Sequence, residues 1–264
     1  MKRLRSAPSG DTTVAVNGIS LSDVIVGGLE NNNTLHNSGF IRSRNGEFTV
    51  YDAPNSLSTV FTSRNDAGVN AGTYQDIPSG GYHGFVLQGT RFTAVNYPGA
   101  INTFLYGTNK GGAIVGGFVS SSISDGFEFT NGKLTELHFP GALNTSANGI
   151  SNLGVIVGEY DFDGINLHGF ILQNGTYLTV DDPDKNNAFG TILLGINSAG
   201  VVVGEFEDSQ AFFHGFIYEN GVFENVIYPG SRNTFVKGIN DAGIIAGLAF
   251  FSDGSNKPFA ASCQ

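Results

Sequence analysis

The chain has 264 residues, 40% of them apolar and 14% charged, with a net charge of −10. This length and apolar content support a packed core rather than a disordered chain. The acidic balance excludes the basic face that nucleic-acid binding needs and opposes docking on anionic membranes. Apolar runs stop well short of the ~20 residues that cross a bilayer, so no membrane insertion is expected.

The first residues, MKRLRSAPSGD, are basic but are not followed by the apolar segment of a secretory signal, so they do not read as an intact signal peptide. From there on the chain repeats itself. A G-x-N-x-x-G anchor or a close relative starts at Gly18, Arg64, Gly107, Gly149, Gly195 and Gly238. The first two of these are 46 residues apart, and the later spacings are 43, 42, 46 and 43. After each anchor comes a β-branched run: VIVGG, VNAGT, AIVGG, VIVGE, VVVGE and IIAGL. A polar loop follows, then a run built around Phe40, Phe85, Phe127, Phe170, Phe216 or Phe259. A short turn, a third run and a Pro-containing turn return the chain to the next anchor.

The 38 glycines and 22 phenylalanines fit this pattern. Each unit reads as four short strands, a to d, joined by tight turns. Between a and b, Asn240-Asp241-Ala242-Gly243 suits a type I turn with glycine in the left-handed region, a place that Asp23 takes in the first unit. Before strand a, proline followed by Gly99, Gly141, Gly230 or Asn55 suits a type II turn, whereas Asp184 and Ser9 fit it less well. The six phenylalanines at one position read as a ring of core residues, each contributing ~1.5–3 kcal/mol.

Six four-stranded units of this length predict an all-β fold, a six-bladed β-propeller spanning residues 1–264 as one domain. The last unit has strands a (234–240), b (243–247) and c (258–262), but the chain ends before d. At the other end, residues 2–8 look like a spare d strand. Pro8 precedes Thr13 by five residues, the spacing also seen in Pro54–Thr59, Pro98–Thr103, Pro140–Thr145 and Pro229–Thr234. Only Pro183 departs from it, through an insertion. Residues 2–8 are therefore expected to complete the sixth blade beside 258–262 and so remove an exposed sheet edge. A five-bladed ring or an open stack is the alternative. The only cysteine, Cys263, cannot form an intrachain disulfide and reads as passive.

Two units carry the pattern most fully. One has Gly149-Ile150-Ser151, 155–158 and His168-Gly169-Phe170; the other has Gly195-Ile196-Asn197, 201–204 and His214-Gly215-Phe216. They resemble the HAF-type extracellular repeats of bacteria, with HGF in place of HAF. The resemblance implies a propeller-like β architecture and an exported origin, but it implies no activity. The absence of tryptophan separates the chain from WD-type repeats and from sugar-binding propellers built on Trp.

Candidate chemistry begins with the histidines. His83, His168 and His214 open strand c in units two, four and five, and His36 lies near the same place in unit one. Asp125 and Lys257 take that position in units three and six. A divalent metal on converging histidines is one reading. A structural role, capping neighbouring polar groups, is the other and is preferred, so no cofactor is expected. The b–c loops carry Glu30, Asp76, Asp161, Asp163, Glu207, Asp208 and Asp253 on one face. They read as a solvated acidic rim, or as the surround of a cationic or hydroxyl-rich ligand. Asp161-Phe162-Asp163-Gly164 is a fragment of a calcium loop without its other ligands.

Departures from the repeat are more informative, because turn and packing rules do not demand them. Arg64 stands at the anchor glycine, and Asn70 stands where other units carry Ile25, Ile114, Ile156, Val202 and Ile244–Ile245. Tyr106, Lys110 and Lys237 are also singular. No nucleophile, metalloprotease or phosphate-loop signature is present. The expected function is binding of a small molecule, glycan or protein by a monomer at one mouth of the channel, with Arg64, Asn70, His83, Tyr106, His168 and His214 as ligand-binding candidates. An enzyme at that mouth (a lyase, cyclase or hydrolase) and an exported scaffold are the alternatives.

Overall fold

A computed structural model describes residues 2–3, 11–31, 34, 36–77, 79–121, 123–185 and 189–262. Among them there are strands and turns and no helix. Cys263, Pro8 and Ser9 lie outside the described residues, as do positions 4–7.

The strands follow the repeat. The first four are Asp11–Ile19, Ile25–Asn31, Asn37–Arg42 and Phe48–Tyr51. The second unit has Ser56–Arg64, Val69–Asp76, Tyr82–Gln88 and Arg91–Val95, and the third has Asn102–Thr108, Ile114–Val119, Ser124–Thr130 and Lys133–Leu137. The fourth has Asn144–Ile150, Ile156–Asp161, His168–Gln173 and Thr176–Val180, and the fifth has Thr191–Ile196, Val202–Glu207, Phe213–Glu219 and Val222–Val226. Asn233–Ile239, Ile244–Phe250 and Asn256–Ser262 end the series. Within each unit neighbouring strands pair antiparallel in chain order. Lys2–Arg3 pairs with the last strand, Lys2 opposite Ala260 and Arg3 opposite Phe259. Single parallel pairings, Asn37 with Ser58 and Ser124 with Asn144, join units one to two and three to four. The strands therefore group as two four-stranded and two eight-stranded sheets.

The register moves one anchor. Ser63 pairs with Ala71 and Arg64 with Asn70, just as Gly107 pairs with Val115 and Thr108 with Ile114. Ser63 thus holds the anchor place, not Arg64. Arg64 corresponds instead to the residue after the glycine, which is Ile19, Ile150, Ile196 or Ile239 elsewhere. An anchor starting at Arg64 is one residue out of step, because Ser63 is not a glycine.

The local chemistry explains the motif. Oδ1 of Asn65, Asn109, Asn197 and Asn240 accepts the backbone N–H four residues on, at 2.9–3.0 Å. This closes the a–b turn, whose last residue lies in the left-handed region at Gly68, Gly112, Gly154, Gly200 and Gly243, and also at Asp23 (φ 59°). The same asparagines donate Nδ2 to the carbonyl of an adjacent turn: Asn65 to Asn109, Asn109 to Ser151, Asn197 to Asn240, and Asn240 back to Ser20. The proline-to-threonine spacing has an equally plain cause. Buried Thr59, Thr103, Thr145 and Thr234 accept the N–H of the residue before the proline, at 2.9–3.0 Å. In the fifth unit Thr191 does so for Asp182 at 3.0 Å in spite of the insertion.

Packing between units runs through small residues. A Cβ on Gly149 would lie 3.1 Å from Cα of Gly195; one on Gly238 would lie 3.3 Å from Cα of Gly18; one on Gly18 would lie 3.1 Å from Cα of Ser63. The glycine of HGF has the same cause: at Gly84 and Gly169 a Cβ would meet the Leu105 and Leu193 side chains at 2.7 and 2.8 Å. The phenylalanine after it is fully buried in every unit. Gly149→Ala should therefore cost about 1–3 kcal/mol by overpacking, seen as a Tm lowered by several degrees. Gly154→Ala would test turn conformation alone, since no atom lies near its Cβ position. Equal losses from the two would argue against close packing at Gly149.

Candidate functional site: a polar cavity

Every strand a carries a β-bulge just before its anchor. The register skips at Asn17, Thr62, Tyr106, Asn148, Leu194 and Lys237. A bulge leaves one residue unpaired and re-aims its side chain. All six bulge residues line one cavity of about 390 Å³. Repetition thus supplies six equivalent positions around a shared space, and the sequence fills them with different chemistry.

Strand b contributes two carboxylates. Glu159 and Glu205 follow the glycine of the VIVGE and VVVGE runs, where other units have Gly28, Thr73, Gly117 and Leu248. Both line the cavity. Glu205 is buried and accepts from Lys237 Nζ at 2.7 Å, and that ammonium also lies 5.1 Å from the Phe235 ring centre. Glu159 accepts a hydrogen bond from Asn148 Nδ2, and Asn148 also donates to the Leu193 carbonyl at 3.0 Å. Among the described residues no cationic side chain comes within ion-pairing distance of Glu159. Burial pushes its carboxyl up to about 7, against hydrogen bonds from Asn148 and Ser146; Glu205 pushes the same way and Lys237 opposes. Burial, helped by Glu159, also raises the Tyr106 phenol, which stays a donor at all ordinary pH.

A second space of about 220 Å³ opens beside the first and shares Tyr106 and Glu159 with it. Phe104, Ser146, Tyr160 and Asp161 are among its other walls. Phe104 and Tyr106 lie parallel, ring centres 6.1 Å apart, and Tyr82 lies 5.4 Å from Phe104. Hydrogen bonds also link the a–b turns of different units. Asn152 Nδ2 reaches Asp241 at 2.8 Å, and Asp241 also holds the Ser198 N–H at 2.7 Å.

Of the residues expected to bind ligand, Arg64 and Tyr106 line the cavity. Asn70 is buried behind Arg64, whose Nη1 donates to its Oδ1 at 2.7 Å. His83, His168 and His214 do not line it. They brace strand c: His168 Nδ1 lies 2.7 Å from Asp181 and His83 Nδ1 lies 3.2 Å from Asn96, both just after strand d, whereas His214 Nε2 lies 2.8 Å from Asp208 in the b–c loop. Unit three has the same brace with partners exchanged, His138 to Asp125 at 2.8 Å. Among the described residues no group of His, Cys, Asp and Glu is placed to hold a metal.

Five of the seven loop acids are turn formers. Asp76, Asp161, Asp163, Asp208 and Asp253 accept backbone N–H groups two to five residues on. Lys110 is exposed, its backbone N–H held by Asn152. Sequence reasoning missed Glu159, Glu205 and Asn148. The signal for the two glutamates was there as a final E in two of six equivalent runs, where the others end in G, T or L.

No protein-family model matches the chain, and no curated protein does. Solved structures do. TolB from Acinetobacter baumannii is 12% identical with a TM-score of 0.62, over 89% of this chain and 63% of TolB, so the chain spans under two thirds of that protein. The β-propeller domain of the Trilobed protease from Pyrococcus furiosus is 9% identical with a TM-score of 0.56, over 95% and 96% of the two chains. A gluconolactonase, XC5397 from Xanthomonas campestris, is 9% identical with a TM-score of 0.55, over 99% and 96%. The fold is all-β and propeller-like. Likeness at this identity carries no activity with it. Among the described residues no helix is long and apolar enough to cross a membrane.

Proposed function

We propose that this chain is a six-bladed β-propeller, closed by its N-terminal strand, that binds a small polar molecule in its central cavity. Three observations support six blades in a ring. The glycine contacts pass from Gly149 to Gly195 and from Gly238 to Gly18. The Asn240 side chain reaches back to Ser20. Lys2–Arg3 lies on the last strand. The observation that carries the binding reading is the set of six bulges, five of which direct polar side chains, Asn17, Thr62, Tyr106, Asn148 and Lys237, into one space beside Glu159. A scaffold needs only apolar filler there, and buried polar groups without a task are disfavoured.

The test is thermal denaturation against a panel of small polyols, carboxylates and amines. One class should raise Tm by several degrees, because ligand that binds only the native state stabilises it. The increase should vanish in Asn148→Ala and Lys237→Ala and persist in His168→Ala, which lies outside the cavity. A gain that survives both cavity variants would place the ligand elsewhere. A panel without effect would favour the scaffold.

A catalytic reading has one observation in its favour. A carboxyl pushed to about 7 can both hold and release a proton at neutral pH, as a general acid or base must. Conversion of the stabilising ligand by the wild type and not by Glu159→Gln would establish it.

A further inference from the structure

We propose that the ligand is a small organic cation of the alkylammonium class, its charge met by Glu159 and its apolar groups lying against Tyr106 and Phe104. The inference rests on the cavity-binding reading above and names the chemistry that site recognises. It begins with the charges facing the cavity, which are Arg64, Lys237, Glu159 and Glu205. Lys237 is spent on Glu205 at 2.7 Å. Arg64 is held by Asn70 at 2.7 Å. Glu159 is left with neutral partners, Asn148 and Ser146. Asp161, which lines the adjoining space, is occupied by Asn144 Nδ2 at 2.9 Å and by the Gly164 N–H. One half-buried carboxylate therefore lacks a counter-charge.

The walls beside it are aromatic. Tyr106 borders both spaces together with Glu159, and Phe104 and Tyr82 continue outward from it to a partly exposed edge. A carboxylate beside aromatic rings favours an ammonium over a neutral polyol, because aromatic rings attract a cation and also accept its methyl groups. The net charge of −10 draws cations toward the molecule. An anionic ligand would find Lys237 paired with Glu205, would be left with Arg64, whose partner Asn70 is neutral, and would meet a repelling carboxylate at Glu159.

Choline and its uncharged isostere 3,3-dimethylbutan-1-ol are suitable probes, because the charge on choline does not change with pH. Titration calorimetry at pH 8 should show choline binding at least tenfold tighter than the isostere. Choline should bind about tenfold more weakly at pH 6, since the competent, ionised fraction of a carboxyl near 7 falls by about that factor. Glu159→Gln should abolish binding while keeping the wild-type melting profile at pH 4. Tyr106→Phe should retain binding and Tyr106→Leu should lose it. Equal affinity for choline and the isostere, choline binding that survives Glu159→Gln, or no choline binding at all would overturn the proposal. If neutral polyols bind in a manner sensitive to Asn148→Ala while choline does not, the cavity reading survives and only the cation is wrong.

Discussion

Glu159→Gln should stabilise the protein at pH 8 by about 3 kcal/mol and leave it nearly unchanged at pH 4. Raising a carboxyl from its ordinary value near 4.5 to about 7 corresponds to about that free energy, at 1.36 kcal/mol for each tenfold change. The sign follows from proton counting. Below about 4.5 the group is protonated whether folded or unfolded, and it contributes nothing. Between 4.5 and 7 the folded state holds more protons, so stability falls as pH rises. Above about 7 the whole penalty is present. Gln keeps an oxygen for Asn148 and carries no charge. Urea unfolding at both pH values measures the difference, and a Tm raised by ~6–12 °C at pH 8 would accompany it. An equal effect at both pH values, or a less stable variant at pH 8, would show that Glu159 is already compensated in the folded state. The sign also separates function from architecture. A structural carboxylate is missed when removed, whereas one retained at a loss in stability has another use.

The architecture was legible because turns and packing repeat themselves. Asn at the a–b turn, threonine five residues after proline, and the glycine and phenylalanine of HGF each answer a local demand met in almost every unit. The positive-φ Asp23 could be named in advance for the same reason. The site was less legible because it arises from what does not repeat. Tyr106 stood out as singular and does face the cavity. Glu159 and Glu205 passed unnoticed, since each sits one step beyond a well-matched glycine and reads as the end of an ordinary strand. The histidines drew attention because they recur, and recurrence marked them as braces. Bulges cannot be seen in a linear pattern, because the extra residue keeps its place in the sequence and only the partner strand shows the skip.

Arg64 and Asn70 form the second large test. Their register equivalents are apolar pairs in four units, Ile19 with Ile25, Ile150 with Ile156, Ile196 with Val202 and Ile239 with Ile245, and Thr108 with Ile114 in the third. Drift at two unrelated positions would not yield a guanidinium donating to an amide oxygen at 2.7 Å, with the amide nitrogen donating to the Leu87 carbonyl at 3.1 Å. Burial already lowers the Arg64 guanidinium from its ordinary value, so removing its acceptor leaves a poorly solvated charge. Asn70→Ile and Arg64→Ile should therefore each cost about 1–3 kcal/mol. The double variant, which restores the apolar pair of those four units, should recover most of that loss, with a coupling of about 1–3 kcal/mol in a double-mutant cycle. Losses that simply add would mean the two residues drifted independently. A stable double variant then serves the cavity question directly. It removes one of the two cations lining that space, so choline should bind it more tightly than the wild type. An anionic ligand that needs Arg64 would instead be lost.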